Sequence, residues 1–193
     1  TSMQACMTDN DVVVGDRNCH KSSEQGLMLT GAKPVYMVPS RNRYGIIGPI
    51  YPQEMQPETL QKKISESPLT KDKAGQKPSY CVVTNCTYDG VCYNAKEAQD
   101  LLEKTSDRLH FDEAWYGYAR FNPIYADHYA MRGEPGDHNG PTVFATHSTH
   151  KLLNALSQAS YIHVREGRGA INFSRFNQAY MMHATTSPLY AIC

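Results

Sequence analysis

Neither sign of charge is in excess. Lysine plus arginine number 19 and aspartate plus glutamate number 19 among 193 residues. The chain therefore lacks the basic or acidic footprint of a protein that binds nucleic acid or an anionic membrane. No apolar run approaches the ~20 residues needed to span a bilayer. No charged-then-apolar leader precedes residue 10, which predicts a chain that is not secreted. Cysteines stand at 6, 19, 81, 86, 92 and 193, but none forms a C-x-x-C pair, and no spacing repeats as in a disulfide framework or a zinc knuckle. That usage predicts a cytoplasmic protein with reduced thiols. Also missing are the G-x-S-x-G nucleophile elbow and the G-x-x-x-x-G-K-[ST] phosphate loop. Gly167-Arg168-Gly169 is too short for a dinucleotide fingerprint. Cys86 and Cys92 have no cationic or helix-start context that would mark a thiolate nucleophile. There is no internal repeat and no low-complexity segment.

What is present is a globular composition, 40% hydrophobic and 20% charged, long enough for one domain with its own core. Short apolar runs at 12–14, 35–38, 80–83, 109–111, 143–145 and 161–164 read as strands. Between them, 19–30 reads as a helix ended by Gly31. The stretch 57–67 is a helix opened by Pro57, with Leu60 and Ile64 four apart. The stretch 94–104 is a helix with Ala95, Ala98, Leu101 and Leu102 on one stripe. The stretches 68–78 and 122–141 read as loops, the second long enough to be functional. Strand and helix in alternation predict an α/β fold, a mostly parallel sheet with helices on both faces.

In such sheets ligands bind beyond the carboxyl ends of the strands. Three polar clusters fall there, at 16–22, 112–115 and 147–151. Lys151 follows a hydroxyl-rich turn, Thr146-His147-Ser148-Thr149-His150. A desolvated lysine there could form a Schiff base with an aldehyde while the hydroxyls hold a phosphate; the plain alternative is a surface lysine. Asp112 ends an apolar strand, where an unpaired carboxylate would be costly. A protonated pyridine nitrogen would pair with it, as would Arg108 or Arg120, or it could cap the next segment. His20 could stack on a planar ring or sit exposed at a helix start. His147 and His150 are three apart, a ligand spacing on a helix, but the neighbouring Lys151 argues against a metal. Gly15 in a valine strand, and Ser23 on the row Cys19–Ser23–Leu27, stand where apolar residues would pack better.

Four motifs occur in order: Asp16-Arg17-Asn18-Cys19-His20-Lys21-Ser22, Thr87-Tyr88-Asp89-Gly90, Phe111-Asp112-Glu113-Ala114-Trp115 and His147-Ser148-Thr149-His150-Lys151. They resemble those of the bacterial ornithine/lysine/arginine decarboxylases of the pyridoxal-phosphate fold-type I class, and most of all its inducible, acid-resistance arginine branch. The resemblance implies that residues 1–193 are the central part of the large, cofactor-binding domain, an excised and altered piece without the wing and C-terminal domains. It implies pyridoxal 5'-phosphate as cofactor, held by Lys151 as the Schiff-base lysine. Asp112 would pair with the pyridine nitrogen, with His20 and Ala114 on the two ring faces. Trp115 would wall the site, Ser148 and His150 would lie near the phosphate and the lysine, and Thr87 at the rim. The implied reaction is decarboxylation of arginine to agmatine and carbon dioxide, with Lys151 or His150 returning the proton. The implied partners are a small amino-acid substrate and other copies of the chain, as a homodimer within larger homo-oligomers. Neither metal, nucleic acid nor membrane is expected. The alternative is a non-catalytic fragment with weak or no cofactor binding.

Overall fold

The computed structural model describes residues 1–136, 139–155 and 159–183. The chain runs α1 (Ser2–Cys6), β1 (Val12–Asp16), α2 (Lys21–Thr30), β2 (Lys33–Met37), α3 (Pro57–Glu66), β3 (Tyr80–Thr84), α4 (Ala95–Leu102), β4 (Arg108–Asp112), β5 (Thr142–His147), α5 (Thr149–Leu152), β6 (Tyr161–Arg165) and α6 (Phe173–His183). The six strands form one sheet in the order β2-β1-β3-β4-β5-β6. All pairings are parallel except β5 with β6. The α/β expectation holds, including helices on both faces.

The side-chain alternation of the strands divides the core in two. Val14, Cys81, Val83, Leu109, Phe111, Val143 and Ala145 pack with Leu60 of α3 and with Ala98 and Leu102 of α4. Val13, Val82 and Phe144 face the other way, against Met3 of α1, Leu27 of α2 and Phe176 of α6. Both faces are covered, so the central strands are near-continuous apolar runs. Each turned up in the sequence for that reason.

Capping residues move the helix boundaries inward from the expected ones. His20 is the N-cap of α2, its side chain accepting from the Ser22 amide, and Asn94 caps α4 by accepting from the Glu97 amide at 3.0 Å. Both therefore lie outside the helices. Gly31 ends α2 at φ 72°, a conformation that glycine adopts without strain. Strand β5 continues two residues past the expected Ala145, so His147 is its last residue rather than part of a turn. Helices α1, α5 and α6 were not expected. The loop 122–141 includes a 3-10 turn at Pro123–Tyr125 and inserts Ala130 into the core; its positions 137 and 138, like Cys193, lie outside the described residues. At Gly15 an added methyl would meet the Tyr36 ring at 3.6 Å, an ordinary contact, while Ser23 is buried at 5% exposure. Among the described residues no helix is long and apolar enough to cross a membrane.

Candidate cofactor site

Strand β1 is bonded to β2 on one side and to β3 on the other. The chain thus reverses its direction of travel across the sheet at β1, which opens a crevice at the carboxyl ends of the strands. A cavity of about 300 Å³ lies there, at the small end of the ~300–1,000 Å³ of typical ligand sites. Its wall includes His20, Asp112, Ala114, Ser148 and Lys151, together with Thr1, Ser2, His110, Thr146 and His147. A narrower annex shares His20, Asp112, Ala114 and Lys151 and adds Thr84, Cys86, Tyr88 and Trp115. Three separate polar clusters of the sequence thus meet in one place.

The Lys151 ammonium sits over the Trp115 ring, 5.0 Å from its centroid, and Tyr88 meets the same ring edge-on at 5.7 Å. The Trp115 Nε1 is buried without a partner among the described residues. Asp112 Oδ1 accepts from the Ala114 amide at 3.2 Å and from the Thr146 hydroxyl at 3.4 Å. Asp112 therefore does cap the following segment. It makes no ion pair with an arginine: Arg108 donates instead to the Ser79 and Ala170 carbonyls, and Arg120 is exposed. The carboxylate faces the cavity with its charge unmatched by any cation among the described residues. His110, behind it, is buried, and burial holds its imidazole down at about 4 against the pull of the Asp112 charge.

Two expected residues are not brought into the wall. His150 is exposed and its Nδ1 lies 2.7 Å from the Ala159 carbonyl. The Thr87 hydroxyl accepts from the Val91 amide at 3.1 Å, closing its own loop. His147 and His150 do not share a partner, since one ends a strand and the other begins a helix; His147 Nε2 lies 3.0 Å from Glu113 Oε2. Among the described residues no group of three or more His, Cys, Asp or Glu could hold a metal. Burial pushes the Cys86 thiol up to about 12, so it stays protonated.

Several residues below the cavity carried no clear signal in the sequence. Asp16 is fully buried and ties β1 to β3 by accepting from the Asn18 amide at 2.7 Å and the Thr84 amide at 3.2 Å. Burial raises its pKa, partly offset by those bonds. Glu113 is fully buried too, and accepts from Asn85 Nδ2 at 2.9 Å and the Ala130 amide at 2.8 Å as well as facing His147. Two adjacent carboxylates closing a buried strand were the available clue. An amine, a carboxylate with no cation, an imidazole and several hydroxyls around one cleft are the donor set that a phosphorylated pyridine aldehyde needs. The residues present therefore fit pyridoxal phosphate.

Comparison with known proteins agrees. The family model described as Orn/Lys/Arg decarboxylase, major domain, matches residues 1–193. The chain is 98% identical over its whole length to the biodegradative arginine decarboxylase of Escherichia coli K12, of which it covers 26%. The solved lysine decarboxylase A of Pseudomonas aeruginosa superimposes with a TM-score of 0.85 at 48% identity, over 99% of this chain and 25% of that one. Cystalysin of Treponema denticola, solved with pyridoxal 5'-phosphate, shares the fold at a TM-score of 0.56 and 12% identity, over 96% of this chain and 43% of that one. The chain spans about a quarter of the length of the decarboxylases it matches. It belongs to the Orn/Lys/Arg decarboxylase family, with the family's major domain as the part matched.

Proposed function

We propose that residues 1–193 are the central part of the cofactor-binding large domain of a cytoplasmic pyridoxal-phosphate enzyme that decarboxylates arginine to agmatine. The observation that carries this reading is the meeting of Lys151 and Asp112 in one cleft, with no ion pair on the carboxylate among the described residues. When bound, pyridoxal phosphate supplies an electron sink, its protonated ring accepting the pair left behind as carbon dioxide departs. The chain's own residues make that possible. Lys151 Nζ would hold the group covalently, and Asp112 would keep the ring nitrogen protonated. His20, the cap of α2, and Ala114, short enough to leave room, would flank the ring. Trp115 shields the Lys151 amine from water on one side, and the Ser148 hydroxyl would serve the phosphate. Lys151 Nζ would also carry the proton returned to Cα. We assign that transfer to Lys151 rather than to His150, whose ring is exposed with its Nδ1 2.7 Å from the Ala159 carbonyl. Homo-oligomeric assembly belongs to the same proposal; the exposed Phe173, Met181 and Met182 of α6 offer apolar surface for it.

A second reading, a fragment that binds the cofactor without turnover, is favoured by one observation. Among the described residues, Asp112 is the single acidic one lining the cavity and its annex. A guanidinium needs a carboxylate fork, and none is left for it. The two readings separate in two steps. Borohydride reduction of the chain mixed with pyridoxal phosphate, followed by mass spectrometry, should leave a pyridoxyl group on Lys151; modification elsewhere or none refutes both. Arginine is then added and carbon dioxide measured: release supports the enzyme, and silence supports the fragment.

A further inference from the structure

Behind Asp112 lie two polar side chains that the decarboxylation chemistry does not use. Asp112 and Thr146 are paired across β4 and β5, so their side chains leave the sheet side by side on the same face. The Thr146 hydroxyl lies 3.4 Å from Asp112 Oδ1 and 3.2 Å from His110 Nε2. His110 is 8% exposed and lies on the cavity wall, and its Nδ1 has no partner among the described residues. Its ring is wedged edge-on against Tyr80 at 6.0 Å and Phe144 at 6.4 Å.

The direction of these bonds follows from proton counting. An ionised carboxylate only accepts, so the one hydroxyl proton of Thr146 goes to Asp112. The hydroxyl oxygen can then only accept from its other neighbour, so His110 Nε2 must carry a hydrogen and Nδ1 must be bare. Burial keeps the ring neutral, which matters because an imidazolium here would compete for the Asp112 charge. We infer that His110 and Thr146 are positioning residues for Asp112, forming a one-way donor chain from His110 Nε2–H through Thr146 Oγ–H to Asp112 Oδ1. The chain fixes the orientation of the carboxylate, yet leaves its negative charge free for a cationic ring. This inference rests on the cofactor reading above for its purpose, though not for its geometry.

The test has two arms. Nitrogen NMR of His110 in the chain without added cofactor reads the tautomer at neutral pH. The expected result is a protonated Nε2 and a bare Nδ1, with that preference lost in Thr146→Val, a substitution of nearly the same shape. A protonated Nδ1 in the wild-type chain, or a tautomer unaffected by Thr146→Val, overturns the inference whatever the chain binds. The second arm measures the dissociation constant of pyridoxal phosphate. Thr146→Val should weaken binding ~10-fold, the loss expected for one hydrogen bond to a charged group. Thr146→Ser should restore it to within about twofold, and His110→Phe, which keeps the ring packing, should behave like Thr146→Val. Unchanged binding in both Thr146→Val and His110→Phe overturns the positioning role. Failure of the wild-type chain to bind at all overturns the cofactor reading itself, and with it the purpose assigned to the chain.

Discussion

Acid should weaken this fold through one imidazole. His110 is held at about 4 in the folded chain, against an ordinary 6.5, chiefly by burial. The groups around it are Asp112, whose charge opposes the shift, the amino group of Thr1, which adds to it, and the neutral phenol of Tyr80. Above pH 6.5 the ring is neutral in both folded and unfolded chains. As the pH falls below that value, the unfolded chain takes up a proton that the folded chain refuses. Stability present at neutral pH is therefore lost progressively between pH 6.5 and about 4. Between pH 7 and pH 5 the loss through this group is about 2 kcal/mol. With an m-value of ~2 kcal/mol/M, that moves a urea midpoint by ~1 M. The control is His110→Phe, which keeps the contacts with Tyr80 and Phe144 but cannot titrate. The buried Asp16 and the half-buried His163 change their protonation alike in both proteins, so the difference between them isolates His110. Urea unfolding at the two pH values, at constant ionic strength, measures it. Equal losses in wild type and His110→Phe would refute the argument.

Three further outcomes are expected. Glu113→Ala should cost about 3–5 kcal/mol in urea unfolding, because it strands the Asn85 amide, the Ala130 N–H and His147 beneath the cavity; a loss below ~1 kcal/mol would mean those donors find other acceptors. Asn94→Ala should cost about 1 kcal/mol and speed amide exchange in the first turn of α4, since the cap of Glu97 is lost. Gly15→Ala should stabilise by about 1 kcal/mol through reduced freedom of the unfolded chain, the added methyl finding the Tyr36 ring at 3.6 Å. Destabilisation would show that this ring cannot accommodate it.

The sheet was legible because its strands are short valine- and aromatic-rich runs punctuated by glycine and proline, and because burial on both faces removes any ambiguity of pattern. Helices α3 and α4 were legible through Leu60, Ile64, Ala98 and Leu102. Helices α1 and α6 were not. Five residues of α1 are too few to stand without packing, which Met3 provides, and in α6 Phe173, Tyr180, Met181 and Met182 are exposed and give no clean stripe. Lys151, Asp112 and His20 stood out because a polar residue at the end of an apolar strand demands a partner. Thr146 and His110 did not, since threonine and a ring are ordinary strand residues and their role depends on which strands become neighbours. His150 illustrates the converse. Its place beside Lys151 in the chain promised proximity, but both residues lie in α5, where successive side chains point about 100° apart, and they reach different partners, the Ala159 carbonyl and the Trp115 ring.

The pairing of Asp112 with Thr146 carries one more implication. Successive residues of a strand point to opposite sides, so a slip of a single step between β4 and β5 would drive the carboxylate in among the packing of α3 and α4. The alignment of the two central strands is therefore itself a component of the cleft. By mass action, whatever molecule bridges Asp112 and Lys151 must also clamp that alignment, and filling the cleft should slow hydrogen exchange along the β4–β5 ladder well beyond the residues it touches.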